Sequence, residues 1–361
     1  MQTDELLALP PYDLERARKE PALLERLNAL TAHHARACPP YGRLLELFHG
    51  GAGPAARMSE VPWIPVGLFK SHRLVSVPEA EVFKTLTSSG TTSQQVSRIY
   101  LDRATAQRQS VALGRIMTHL LGPKRLPMLL VENRDLIKDR TAFSARGAGV
   151  LGMASFGRDH VYALDERSEL DLEAVRAFLA RHGGAPFLVF GFTFMVWQYL
   201  LQRIAGLGLD LSQGTLVHSG GWKKLQDESV DNATFKARLA DGCGLLRVYS
   251  FYGMVEQVGS VFLEGEDGHL YAPGFADVIV RDPVTWEELP PGRQGVIQVL
   301  SALPESYPGH SILTEDLGVL HGVDDGSCGR KGKHFSVVGR APRAELRGCS
   351  DTHAFSQKVA V

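Results

Sequence analysis

Thr87-Ser88-Ser89-Gly90-Thr91-Thr92-Ser93-Gln94-Gln95 lies between an apolar run at 82–86 and a second strand-like run at 99–101. Five hydroxyl side chains and one glycine fall within the six positions from Ser88 to Ser93. Backbone N–H groups and hydroxyls in such a loop can converge on one anion, and glycine lets that anion come close to the backbone. The stretch therefore reads as a phosphate cradle joining two strands, although a plain surface loop has the same composition. It lacks the GxxxxGK[ST] spacing of a Walker loop, because no lysine follows Gly90 at the required position, and this disfavours a simple P-loop NTPase.

The surrounding chain is ordinary in composition. At 361 residues and roughly 150 residues per domain, the length suggests two domains, and 44% hydrophobic residues suffice for a sizeable core. The formal net charge is −1, without the electrostatic footprint of a nucleic-acid binder. Cys38, Cys243, Cys328 and Cys349 contain no CxxC pair and are too few for a disulfide scaffold, which fits a reducing compartment. Acidic residues stand at Asp4 and Glu5, where a signal peptide needs a basic region. No apolar run approaches membrane-spanning length, so the expected location is the cytoplasm.

Working outward, residues 12–37 read as a helical segment with Leu23, Leu27 and Leu30 on one face and an interruption at Pro21. From about residue 58, short apolar runs alternate with helical stretches, the pattern of an α/β fold. Strands are expected at 126–131, 186–190, 215–218, 245–249, 277–280 and 295–300. Helices are expected at 102–121 with Asp102 as N-cap, and at 171–182, 192–204 and 231–240. Beyond about residue 265 the chain is richer in Gly, Pro and β-branched residues, with a turn at Pro308-Gly309, and reads as β-rich. A last break falls near Gly339-Arg340-Ala341-Pro342.

Three further segments follow the hydroxyl loop: His218-Ser219-Gly220-Gly221-Trp222, Tyr252-Gly253-Met254-Val255-Glu256 and Thr314-Glu315-Asp316. In the second, a tyrosine ring can stack on a base, Gly253 lets backbone pass close by, and Glu256 offers a carboxylate to Mg²⁺. A buried tyrosine and a solvent-facing glutamate would give the same letters. Together with Ser88–Ser93 and Gly339-Arg340, these segments resemble, in order, the motifs of the adenylate-forming (acyl-AMP synthetase) superfamily. Ser93 stands where that superfamily usually has Gly, Val255 where it has Thr, and the later Pro-Lys of the loop is absent.

The short length and the run Gly339-Arg340 to Cys349-Ser350 most resemble the LuxE family of acyl-protein synthetases, relatives of the longer phenylacetate–CoA ligases. The resemblance implies an α/β large domain over residues 1–338, with a helical part at 1–57 and a β-rich subdomain at about 265–338. A very short C-terminal hinge and tail at 339–361 would follow. It also implies ATP and Mg²⁺ as cofactors, a fatty acid as the carboxylic acid substrate, and a partner acyl reductase or transferase. Ser88, Ser89, Gly90, Thr91, Thr92 and Ser93 would hold phosphate, Gly220 and Gly221 would line adenine, and Tyr252 and Gly253 would pack on it. Asp316 would bind the ribose hydroxyls, Glu256 the metal, and Arg340 the ribose or phosphate, while His218 would orient the carboxylate.

Cys349 would accept the acyl group as a thioester, its thiolate favoured by Arg340, Arg343 and Arg347. Lys358 is the only lysine after the hinge, and its context is not that of the relatives' catalytic lysine. The apolar stretch 187–197 is the candidate acyl pocket, and a core strand and helix would share its pattern. Two other readings stay open. An acyl-CoA ligase would make Cys349 incidental, and a non-catalytic adenylate-binding subunit would explain Ser93, Val255 and the missing lysine.

Overall fold

The computed structural model describes residues 3–51, 53–88, 96–134, 145–204, 206–222 and 228–341. Strands are numbered in chain order: β1 Ile64–Pro65, β2 Lys84–Thr87, β3 Arg98–Leu101, β4 Leu126–Asn133, β5 Gly157–Leu164, β6 Phe187–Phe192 and β7 Gly214–Ser219. They continue with β8 Arg247–Tyr252, β9 Phe262–Glu264, β10 Leu270–Tyr271, β11 Ala276–Arg281, β12 Gln294–Ser301, β13 Ser311–Val323 and β14 Lys333–Arg340.

Twelve strands form one sheet in the order β11-β12-β13-β14-β10-β9-β8-β7-β6-β4-β5, with β1 pairing off that path alongside β13. From β8 to β5 every pairing is parallel, and from β8 to β11 every pairing along that path is antiparallel. The parallel half follows from its sequence: β4, β6 and β7 are apolar and almost wholly buried, as strands covered on both faces must be. Helices Ala145–Ala154, Leu172–His182 and Asn232–Cys243, and the helical segment 193–204 between β6 and β7, make the crossovers. The hydroxyl loop joins β2 to β3, an antiparallel hairpin outside the main sheet.

Helix starts are set by short carboxylates. Asp102 accepts the Thr105 amide, Asp171 that of Ala174 and Asp231 that of Thr234, each satisfying an N–H that a first helical turn leaves free. Helix Arg16–Ala37 runs straight through Pro21, which corrects the expected interruption. The proline removes one bond to the Ala17 carbonyl. Burial of Leu23, Leu27 and Leu30 offsets that loss, with Leu23 and Leu27 in the core shared with Phe275, Ile297 and Phe335.

The segment after β6 is likewise not one α-helix. Thr193–Met195 is α-helical, Val196–Leu201 is a π-helix, and Gln202–Ile204 returns to α. The wider turn brings Val196, Trp197, Leu200 and Leu201 inward together, with Trp197 against the rings of Trp222 and Phe235.

Candidate active site

The sheet changes from parallel to antiparallel pairing at β8, and the candidate residues gather at that strand's C-terminal end. In α/β sheets such ends, where connections diverge, leave a crevice for ligands. Tyr252 closes β8, Gly253 follows, and Glu256 sits in the next single turn, Val255–Gln257. Asp316 arrives from β13, which crosses the same region, and Arg340 is its register partner on β14.

The Tyr252 hydroxyl donates to Asp316 Oδ2 at 2.6 Å, and Arg340 Nε lies 3.8 Å from Asp316 Oδ1. Thr314 Oγ1 fixes the approach, donating to the Ile297 carbonyl and accepting the Asp316 amide. Burial, and then the negative charge of Asp316, hold the Tyr252 phenol well above its ordinary pKa, so it stays a neutral donor. The Arg340 side chain is 79% exposed, leaving most of its donors to solvent or a ligand.

Glu256 is 7% exposed. Burial raises its carboxyl pKa, against the pull of the Ser97 hydroxyl and the Lys70 ammonium, and Glu315 pushes it further up. The loop neck is tied by Ser88, whose Oγ accepts the Ser97 amide while its own amide donates to the Ser97 carbonyl. The Ser97 side chain is fully buried. Ser97 and Lys70 were not singled out in the sequence, and Glu315 was named only within the segment Thr314-Glu315-Asp316 and given no role. Ser97 closes the hydroxyl loop, but the spacing from Lys70 to Glu256 gives no hint that the two share a site.

His218, near the end of β7, is buried, its Nδ1 3.0 Å from Thr193 Oγ1. Desolvation, with the Lys236 charge adding to it, pushes its pKa down to about 3, so the ring is neutral near pH 7. Among the described residues its Nε2 and the Trp197 Nε1 are buried without a hydrogen-bond partner, and both rings contact Phe235. Gly220 has φ 86°, a backbone region that favours glycine; no atom meets a Cβ placed on Gly221, and one on Gly253 meets only ordinary contacts.

Ser89, Gly90, Thr91, Thr92, Ser93 and Cys349 lie outside the described residues. Tyr252, Asp316 and Arg340 are brought together, with Glu256 close enough to act on the Tyr252 phenol. His218 pairs in register with Ser250, two residues before Tyr252 on the adjacent strand, and its ring packs on Phe235. Among the described residues, no three or more His, Cys, Asp or Glu side chains are grouped to hold a metal ion. No helix among them is long and apolar enough to cross a membrane.

The fold is similar to that of a solved CoA ligase. A 2-hydroxyisobutyryl-CoA ligase in an open conformation with 2-HIB-AMP and CoA superposes with a TM-score of 0.69 at 19% identity, covering 91% of this chain and 76% of that one. The same ligase in its thioesterification state gives 0.69 at 20% identity, with 91% and 69% covered. The fold is thus that of this CoA ligase.

The model of "Acyl-protein synthetase, LuxE" matches residues 2–360, and the chain belongs to that family. A long-chain-fatty-acid--luciferin-component ligase of Vibrio harveyi is 26% identical over 319 residues, 83% of this chain and 80% of that protein. The ligase of the same name from Aliivibrio fischeri is 24% identical over 317 residues, covering 81% and 78%.

Proposed function

We propose that this protein uses ATP to activate a long-chain fatty acid as acyl-AMP and then carries the acyl group on Cys349 as a thioester. A partner acyl reductase or transferase would receive it, in the cytoplasm. The observation that carries the reading is the contact of Tyr252, Asp316 and Arg340 beside buried Glu256, in a chain of the acyl-protein synthetase family.

In the first step a carboxylate oxygen attacks the α-phosphorus of ATP and the bond to pyrophosphate breaks. In the second, the Cys349 sulfur bonds to the acyl carbon and AMP leaves, the thiol proton passing to solvent. Ser88 and the Ser89–Ser93 stretch hold phosphate. Asp316 takes the ribose hydroxyls with its capacity beyond Tyr252, and Tyr252, Gly253, Gly220 and Gly221 surround the adenine. Arg340 neutralises phosphate charge from the hinge with its exposed donors. Neutral His218 orients the substrate carboxylate without adding charge.

Glu256, a hard oxygen donor with Glu315 nearby, suits Mg²⁺, which takes one or two carboxylates and completes its shell with water and substrate phosphates. When bound, the ion would neutralise the departing pyrophosphate. Residues 1–338 would act as the large domain and 339–361 as the hinge and carrier segment.

The test is incubation with Mg·ATP and a panel of fatty and aromatic acids, followed by intact-protein mass spectrometry before and after hydroxylamine. A labile adduct on Cys349, absent in Cys349→Ser while pyrophosphate exchange persists, is expected. Normal labelling of Cys349→Ser would sink the acceptor role, and acyl-CoA formation on adding coenzyme A, without any adduct, would move the assignment to a CoA ligase.

A further inference from the structure

The parallel strands start at the edge of the sheet opposite the candidate site. Along that edge stand Arg158 on β5, Lys124 and Arg125 just before β4, and Arg247 opening β8. In the order β5-β4-β6-β7-β8 these cations span four strand spacings, about 19 Å.

Their charge is weakly neutralised. Arg247 donates only to neutral acceptors, Thr215 Oγ1 and the carbonyls of Ser212 and Gln213. Among the described residues, Lys124 and Arg125 have no carboxylate partner, while Arg158 pairs with Asp159. Two further carboxylates stand near this edge, Asp210, which accepts the Ser212 amide, and exposed Asp241 in the last turn of helix Asn232–Cys243.

Apolar surface accompanies these cations. Leu246, beside Arg247, is 73% exposed. A shallow cleft of about 400 Å³ is lined by Leu120, Leu121, Pro123 and Pro186 together with Lys124 and Arg247.

We propose that this edge is a peripheral docking surface for an anionic lipid bilayer. Cations that reach the headgroups, and an exposed leucine with an apolar cleft beside them, match the two layers of a membrane interface. A polynucleotide would engage the cations and leave Leu246 in water. A chain of net charge −1 needs such a local patch, because beyond roughly 8 Å at physiological salt the rest of the molecule is screened. Docking by this edge leaves the opposite edge, with Tyr252 and Asp316, facing away from the lipid. The inference does not depend on the acyl-AMP reading.

The full-length protein is sedimented with vesicles of phosphatidylcholine alone and of phosphatidylcholine mixed with phosphatidylglycerol. Binding is expected only to the mixed vesicles and is lost in high salt. The double variant Lys124→Glu/Arg125→Glu, with both side chains exposed, should weaken it roughly thirtyfold or more. Leu246→Ser should weaken it without changing the salt dependence. Circular dichroism and thermal melts of each variant serve as folding controls. Equal binding to neutral vesicles, no binding to either kind, or full binding by the folded charge-reversal variant would each overturn the proposal.

Discussion

Asp316 already has one oxygen committed to the Tyr252 hydroxyl and the other 3.8 Å from an exposed arginine. Asp316→Asn keeps the shape of the side chain and removes the charge. Hydrogen bonds to a charged group contribute roughly 1.5–3 kcal/mol, so ATP should bind about tenfold or more weakly by calorimetry, and unchanged affinity would remove the ribose role. Glu256→Gln should lower pyrophosphate exchange on the order of a hundredfold, because the proposed metal loses its carboxylate. The raised pKa of Glu256 sets the sign of the pH effect. If the ionised form is required, exchange should fail on the acid side at a higher pH than an ordinary glutamate allows. Because a bound Mg²⁺ would itself lower that pKa, the profile is read at limiting Mg²⁺, and wild-type exchange by folded Glu256→Gln would mean that Glu256 is not the metal ligand.

At the scale of elements, the turn Pro308-Gly309 does more than connect β12 to β13. The Gly309 carbonyl accepts from Gln257 Nε2, and a Cβ on Gly309 would lie 2.7 Å from the Glu256 carbonyl and 2.2 Å from the Tyr307 ring. Gly309→Ala should therefore cost about 1–3 kcal/mol by denaturant titration and reduce acyl-AMP formation with it. A stable variant with reduced exchange would show that the displacement stays local to Glu256. The expected helix starts at Asp102, Asp171 and Asp231 were legible because an N-cap is a local device within four residues. The π-helix at Val196–Leu201 was not legible, since the rings it accommodates, Trp222 and Phe235, lie elsewhere in the chain. β13 and β14 were also missed as strands. Glu315, Asp316, Gly318 and His321 break the apolar pattern of β13, and register shifts with β14 absorb the irregularity.

For the whole molecule, burial of neutral histidines makes stability depend on pH. His34 stacks on His310 between the N-terminal helix and the β-rich half, and both are fully buried. Desolvation depresses both, His310 to about 3, and His218 is likewise near 3. An unfolded histidine near 6.5 binds protons that the folded one refuses, so this contribution is full above that pH. It is lost as pH falls from 6.5 toward 3, at roughly 1 kcal/mol per buried histidine per pH unit. Thermal melts at constant ionic strength should show Tm falling already between pH 6.5 and 5, above the range where carboxylates titrate, and a flat Tm there would contradict the burial of these rings.

By itself the sequence determined the alternation of strand and helix, the helix caps, the order of the candidate motifs and the family they resemble. Each depends on spacing along the chain or on local backbone chemistry. Only the tertiary structure decided that a single sheet continues from the parallel into the antiparallel half, and that Pro21 lies within an unbroken helix. It also brought Lys70, Ser97 and Glu315 within electrostatic reach of Glu256. Strand pairing, burial and the electrostatic neighbours of a carboxylate depend on residues far apart in the chain, and the packing of the sheet brings them together.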